Sequence, residues 1–356
     1  MIFRTPSYYR EFHCIADRCK DNCCIGWEID IDTETAEKYR SVSGEFGERL
    51  RSHIAFGEPS CFLLGEHERC PFLNDRSLCD IITTLGESAL CQICTDHPRY
   101  FEWFGDVKEG GIGMCCEEAA RLILSQDGDF SVTETDIPDE DCAPVDGALF
   151  AFLCDLRGAL TALLHNESLP LAVRLSRVLD LAHAAQDCTD NGVLTLPEEI
   201  TEIAPQNGDI SQILQFLQTL EPISGAWHPA LAAVQAHLPE IAQSFPAFLQ
   251  ENPQIPKYLR NITVYFLWRY LLKGVFDGEF LSRAVLSVMS VCVIASLWAD
   301  LWQGGALSTE DCAEIAKNYS KEVEYSEENL NAVLDAAYDL PAMSVSRLKG
   351  LLSGLY

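Results

Sequence analysis

Four thiols fall within eleven residues in Cys14–Cys24, which reads CIADRCKDNCC, and seven more cysteines follow before position 117. In chain order the pattern is Cys14-x4-Cys19-x3-Cys23-Cys24, then Cys61, Cys70, Cys79, Cys91-x2-Cys94 and Cys115-Cys116. Soft thiolates at this density suit zinc or an iron–sulfur cluster, with a disulfide framework as the structural rival. Zinc takes four tetrahedral thiolates or imidazoles, and a four-iron cluster also takes up to four thiolates, so spacing alone leaves the metal open. Zinc-finger and zinc-ribbon spacings are absent, because Cys91-x2-Cys94 is the one isolated C-x2-C pair. His13 and His97, next to the cysteines, are further ligand candidates. Cys115 and Cys116 precede a predicted helix, whose N-terminal dipole favours a thiolate there.

Composition bounds the setting. The chain has 356 residues, 48% hydrophobic and 22% charged, enough to bury a core without covalent staples. Met1–Cys14 has no apolar stretch of the kind that marks a secretory signal. The longest apolar run, Ala284–Ala299, is short for a membrane span and reads as a buried helix. A cytoplasmic location is therefore expected, where sixteen cysteines serve as ligands or reduced core residues more readily than as disulfides. The net charge of −29 excludes a nucleic-acid binder, since phosphate contacts need a basic surface, and it keeps the chain soluble or steers in a basic partner.

The elements that must position the thiols are legible in outline. Apolar and acidic residues alternate through Trp27-Glu28-Ile29-Asp30-Ile31-Asp32, which predicts a half-buried strand, and Asp32 then caps a helix to about Ser41. Arg99–Gly113 reads as two strands around a turn at Gly105-Asp106, followed by a helix over Glu117–Leu124. Residues 127–145, acidic and proline-bearing, read as a linker or surface loop. Beyond them leucines at spacings of three and four (Leu149, Leu153, Leu156, Leu160, Leu163) begin a helical region. Further helices are predicted over 170–186, 208–220, 228–250, 257–274, 279–303, 309–319 and 327–338, with a loop at 191–207. The expected fold is α+β and predominantly helical: a cysteine-rich mixed part over 1–126, holding eleven of the sixteen cysteines and a few short strands, and a helical part over 127–356.

The ordered motifs CIADRCKDNCCIGWEIDID, CPFLNDRSLCDI, LCQICTDHPRY and CCEEAARLIL resemble the flagellin lysine-N-methylases, the FliB-type proteins, and share a scheme with the shorter YkgJ-type cysteine-cluster proteins. The resemblance covers residues 12–126. It implies methylation of flagellin lysine ε-amines with S-adenosylmethionine and an iron–sulfur cluster (4Fe-4S); the expected partners are flagellin and an unidentified electron donor, and composition points to a cytoplasmic setting without membrane or nucleic acid. The family motif carries over onto Cys14, Cys19, Cys23, Cys24, Cys70, Cys79, Cys94 and Cys116, leaving Cys61, Cys91 and Cys115 as extras. Where the family has C-P-E this chain reads Cys116-Glu117-Glu118, so the helix-starting proline is missing.

Other residues carry a plain reading beside a functional one. Arg99 suits a cosubstrate carboxylate or a structural ion pair. Gly111 and Gly113, in Gly110-Gly111-x-Gly113, form a weak match to a cosubstrate-binding glycine turn. Glu28, Asp30 and Asp32 share one strand face that would receive a lysine or simply face solvent. Trp27 and Trp103 would stack on adenine, shield a cluster or pack the core. The alternative to an enzyme is a non-catalytic zinc or iron–sulfur module serving assembly or electron transfer.

Overall fold

The N-terminal strand β1 (Ile2–Pro6) occupies an interior position in a four-stranded sheet built from distant parts of the chain. The computed structural model describes residues 1–26, 28–302 and 304–355, of which 59% of the chain is helical and 9% strand. After β1 come β2 (Asp30–Ile31), α1 (Thr33–Ser41), α2 (Gly44–Ser52), β3 (Ile54–Ala55) and β4 (Ser60–Phe62). The short helices α3 (Asp80–Leu85) and α4 (Gln92–Asp96) follow, then β5 (Arg99–Phe104), β6 (Val107–Ile112), α5 (Glu117–Ser125) and β7 (Val132–Asp136).

The sheet order is β5-β6-β1-β7, with β1 parallel to β6 and antiparallel to β7. The β5–β6 hairpin turns at Gly105, whose φ of +64° is the left-handed backbone that a two-residue hairpin loop needs at its first position. β7 lies within residues 127–145, so that stretch is not solely the expected linker. Its sequence, VTETD, is exposed almost throughout and lacks an apolar face, because an edge strand can be held by backbone pairing alone. The strand expected over 27–32 reduces to Asp30–Ile31, paired with β4; Trp27 lies outside the described residues.

The helical region runs α6 (Gly147–His165), α7 (Leu171–Asp190), α8 (Ile210–Leu217), α9 (Trp227–Ala236), α10 (Leu238–Glu251), α11 (Ile255–Tyr270), α12 (Gly274–Asp277), α13 (Leu281–Leu301), α14 (Thr309–Glu324), α15 (Glu327–Asp339) and α16 (Val345–Leu355). The single helix expected over 228–250 is two, broken at His237. Start signals act as read: Ser308 accepts from Asp311 N–H and Ser326 from Asn329 N–H. Two helices, α6 and α13, are long and apolar enough to cross a membrane by length and composition. The apolar window of α13 is 83% buried, and α7, α11, α14, α15 and α16 pack around it, which is the setting of a core helix; the window of α6 is only 33% buried.

Two apolar cores result. A small one gathers Ile29, Ile31, Tyr39, Leu50, Phe62, Phe72, Ile81 and Cys91 beneath the β2-β4-β3 sheet. The large one joins Tyr8, Phe12, Phe104, Ile112 and α5 to the helices. Between sheet and helices, Glu109 of β6 and Arg157 of α6 form a buried two-pronged ion pair, both N–O distances 2.6 Å. Removing one member strands the other charge in the interior. Glu109→Gln is expected to destabilise the fold by about 3–5 kcal/mol, read as a lower urea midpoint, whereas Glu109→Gln with Arg157→Met recovers part of that loss.

Candidate metal centre

The thiols are brought together by backbone pairing between two segments and by a side chain that places a third. Cys70 N–H donates to Cys24 C=O at 2.8 Å, Gly26 N–H to Glu68 C=O at 3.2 Å, and Ile25 and Arg69 form an isolated antiparallel bridge. The Cys70–Cys79 turn is closed by a Leu73–Cys79 bridge and by Asp80, which accepts from Arg49 at 2.7 Å and Asn74 at 2.9 Å. Asp32 places the third segment. One of its oxygens accepts Thr35 N–H at the start of α1, the other accepts Gln92 N–H at the start of α4, both at 2.9 Å. One carboxylate thus caps two helices, setting Cys91 and Cys94 against α1. Tyr39 adds a buried hydrogen bond to Ala89 C=O at 2.6 Å.

Within this frame the Cys24 thiol hydrogen-bonds to those of Cys23 and Cys70, and Cys91 bonds to Cys94. Cys94 also feels the charge of Cys70 and Cys23, so the pairs face a common region, and Cys79 feels Cys70. A second set lies alongside. Cys116 is within electrostatic reach of Cys23 and Cys14, and Cys19 of Cys116; Cys19 Sγ is 3.6 Å from Glu117 Oε2, which also accepts Lys20 N–H at 2.7 Å.

Burial pushes the thiols of Cys19 and Cys116 up to about 12 and about 11, and raises Cys79. The hydrogen bonds from Cys24 lower Cys23 and Cys70 and raise Cys24 itself; Cys94 does the same for Cys91. None of the sixteen cysteines is in a disulfide, and among the described residues no three Cys, His, Asp or Glu side chains already stand in a coordination geometry. The donor chemistry nevertheless fits a thiophilic metal: neighbouring, reduced thiols, of which Cys70 and Cys91 are buried and Cys14 and Cys23 exposed, and which metal binding would convert to thiolates.

Cys91, set aside by motif alone, is fully buried and bonded to Cys94. The C-x2-C spacing at a helix start was its signal. Cys61 instead bonds to Glu28, and Cys115 turns inward to the Tyr325 hydroxyl at 2.9 Å. His97 contacts Tyr325 at 3.4 Å, and burial holds its imidazole down at about 4; His13 Nδ1 is 2.9 Å from Glu11 C=O. Arg99 stacks over Tyr9 and Phe12, with centroids at 5.7 and 5.2 Å. Gly111 and Gly113 are packing positions. A Cβ at Gly111 would lie 2.3 Å from the Tyr100 hydroxyl, and one at Gly113 3.1 Å from Cys115 Sγ. Asp30 is exposed, and Trp103 donates to Glu140 at 2.7 Å.

Two features escaped sequence reasoning because their members are far apart in the chain. Asp21, inside the thiol loop, is held by Lys317 at 3.0 Å and by Lys321, both from α14. Burial works to raise this carboxyl, but Lys321 and then Lys317 bring it down to about 2. Beneath Cys115, the fully buried Glu324 accepts from Tyr265 at 2.9 Å, Tyr270 at 2.8 Å, Ser320 at 2.6 Å and Arg269 at 3.0 Å. Arg269 in turn lies 4.5 Å over the Tyr100 ring.

The family described as FliB lysine N-methylase C-terminal domain matches residues 157–346, just over half of the chain. Lysine-N-methylases of Salmonella typhimurium and Salmonella choleraesuis are each 27% identical over 139 residues, 37% of this chain and 35% of theirs. The chain thus spans about a third of the length of these relatives. The flagellar biosynthetic protein FliU of Salmonella muenchen is 28% identical over 127 residues, 34% of this chain and 75% of its own. No solved structure matches.

The α14 clamp yields a direct test. Lys317→Met with Lys321→Met leaves Asp21 half-buried without a cation, and hydrogen exchange over residues 16–26 is expected to speed up by about ten-fold or more. Lys20→Ala, which removes an exposed pair with Glu314, is expected to change it little.

Proposed function

The chain belongs to the FliB lysine N-methylase family, and on that premise we propose that it methylates lysine ε-amines of flagellin in the cytoplasm before export. The family match over residues 157–346 carries this reading. The methyl donor is S-adenosylmethionine. A neutral lysine amine attacks the sulfonium methyl, a C–N bond forms as the C–S bond breaks, S-adenosylhomocysteine leaves, and the ammonium product gives up one proton. Such a displacement requires alignment and a deprotonated amine.

The metal is proposed to be an iron–sulfur cluster of the 4Fe-4S type, or zinc. Cys23, Cys24, Cys70 and Cys94 are best placed to hold it, with Cys91 bonded to Cys94 and with Cys14, Cys19, Cys79 and Cys116 alongside. When bound, a cluster supplies one-electron chemistry beside the cosubstrate, for which a separate electron donor is needed, whereas zinc supplies cross-linking alone. The chain's own part is to keep these thiols mutually close, with Cys70 and Cys91 buried and Cys23 open to solvent. The net charge of −29 favours a basic protein surface as partner.

The second reading is a structural centre without catalysis. It is favoured by the way the thiols gather where segments 23–26, 68–70 and 91–94 come together. Protein purified anaerobically and incubated with flagellin and S-adenosylmethionine under reducing conditions is expected to add methyl units to flagellin lysines, seen by mass spectrometry; no gain rejects the enzyme reading. Iron analysis of Cys24→Ala and Cys94→Ala is expected to show loss of metal, and zinc without iron in the parent protein rejects the cluster.

A further inference from the structure

Strand β5, RYFEWF, lies at one edge of the four-stranded sheet and pairs on one side only, with β6. The register is unbroken from Arg99↔Ile112 to Phe104↔Val107. Just beyond it Gly113 N–H donates to Pro98 C=O at 2.7 Å, so the even-numbered residues of β5 are those bonded to β6. The main-chain N–H and C=O groups of Phe101 and Trp103 therefore point out of the sheet, and among the described residues no hydrogen bond reaches them. Open edges are normally blunted by charge, proline or a bulge. The opposite edge, β7, carries exposed Glu134 and Asp136. On β5 the single acid, Glu102, is drawn to the inner face by Lys273 at 2.5 Å, and neither proline nor bulge interrupts the strand.

The outer face beside this edge is aromatic. Phe101 and Trp103 are partly exposed with centroids 6.4 Å apart, and Phe3 extends the stripe at 6.1 Å from Phe101. The helices pack on the other face, through Arg157 on Glu109 and Arg269 over Tyr100. A lysine charge already rests on the stripe: Lys108 Nζ lies 4.5 Å from the Trp103 centroid and 5.0 Å from that of Phe101, and pairs with Glu140 at 2.8 Å. Asp96 and the exposed Asp106 bracket the strand with negative charge, in a chain of net charge −29. A second copy would bring the same acids and be repelled, whereas a basic segment is drawn in.

The edge also leads to the thiols. Arg99 follows α4, which carries Cys94, and the Gly113 bond to Pro98 holds the start of the Cys115-Cys116 segment at the same end of the sheet. There the Arg99 guanidinium covers Phe12, two residues before Cys14. From Trp103 to Arg99 an extended chain covers about 14 Å.

We propose that the open edge of β5 docks the protein substrate: an extended, basic, lysine-bearing segment adds to the sheet as a further strand, with alternate side chains resting on Phe101 and Trp103. A lysine just past the Arg99 end is thereby delivered to the thiol site. The assignment rests on the lysine-methylation reading above and gives that reaction its substrate-holding surface.

The probe is flagellin monomer, added to the full-length, metal-loaded protein. Phe101→Pro deletes one outward N–H and leaves every bond to β6 in place. It is expected to weaken flagellin binding by about ten-fold or more beyond the loss in Phe101→Ala, measured by titration calorimetry. Val132→Pro, whose N–H faces outward on the β7 edge in the same way, leaves binding unchanged. In the unmutated protein, flagellin is expected to slow hydrogen exchange over residues 99–104 and not over 132–136. Equal affinity in folded Phe101→Pro and Phe101→Ala variants, or no protection over 99–104, overturns the docking strand. So does a dimer of the free protein that Phe101→Pro dissolves, since the edge then belongs to a second copy. If flagellin is methylated while both readouts fail, the docking strand is wrong and the reaction stands. If both readouts succeed and flagellin gains no methyl, the reaction reading fails and the docking strand stands.

Discussion

Glu109 and Arg157 are buried together where the sheet meets the helices, and much of the molecule is arranged around keeping that pair satisfied. Two charges removed from water repay their desolvation only when each has close partners, and here each prong is 2.6 Å long, with Trp268 C=O accepting a further bond from Arg157 at 3.3 Å. The pair fixes β6 against α6 and α11. On one side of α11, Trp268 is buried under the Arg157 guanidinium, 4.1 Å from its ring centroid. On the other, the adjacent Arg269 reaches Glu324, Tyr100 and the neighbourhood of Cys115. One helix therefore stands between the Cys115 neighbourhood and the Arg157 side of the sheet, and the same tie sets both.

The parts that were legible in the sequence share a physical origin: they are local. The 3.6-residue period of α6, the Asp32, Ser308 and Ser326 caps and the Gly105 turn are each decided within a few residues of the signal. The predominantly helical α+β class followed from them. What escaped is non-local. β1 ends in proline and has no alternating apolar pattern, and β7 is polar; both are strands because they pair with each other and with β6. The short helix α2 and the terminal α16 were missed for want of a long periodic run.

At the thiols, sequence order identified which cysteines belong to a motif and could not say which touch. Cys23, Cys24 and Cys70 meet through backbone pairing between residues 24–26 and 68–70, a contact with no trace in spacing. Cys91 is drawn in by the second oxygen of Asp32, a residue whose helix-capping role was visible and whose bond to Gln92 was not. Gly111 and Gly113 looked like a ligand-cradling turn because packing against a neighbouring ring and packing against a bound cosubstrate demand the same absent side chain.

The clamp on Asp21 has a consequence for biosynthesis. Its cations lie about 300 positions further along the chain, so a growing polypeptide exposes the Cys14–Cys24 thiols long before α14 has been made. Until then the loop is held only where Cys24 and Gly26 pair with residues 68–70 and where Lys20 N–H meets Glu117. The Asp21 tether arrives only with the last fifth of the chain, so completing the helical region is the last step in fixing the thiol loop.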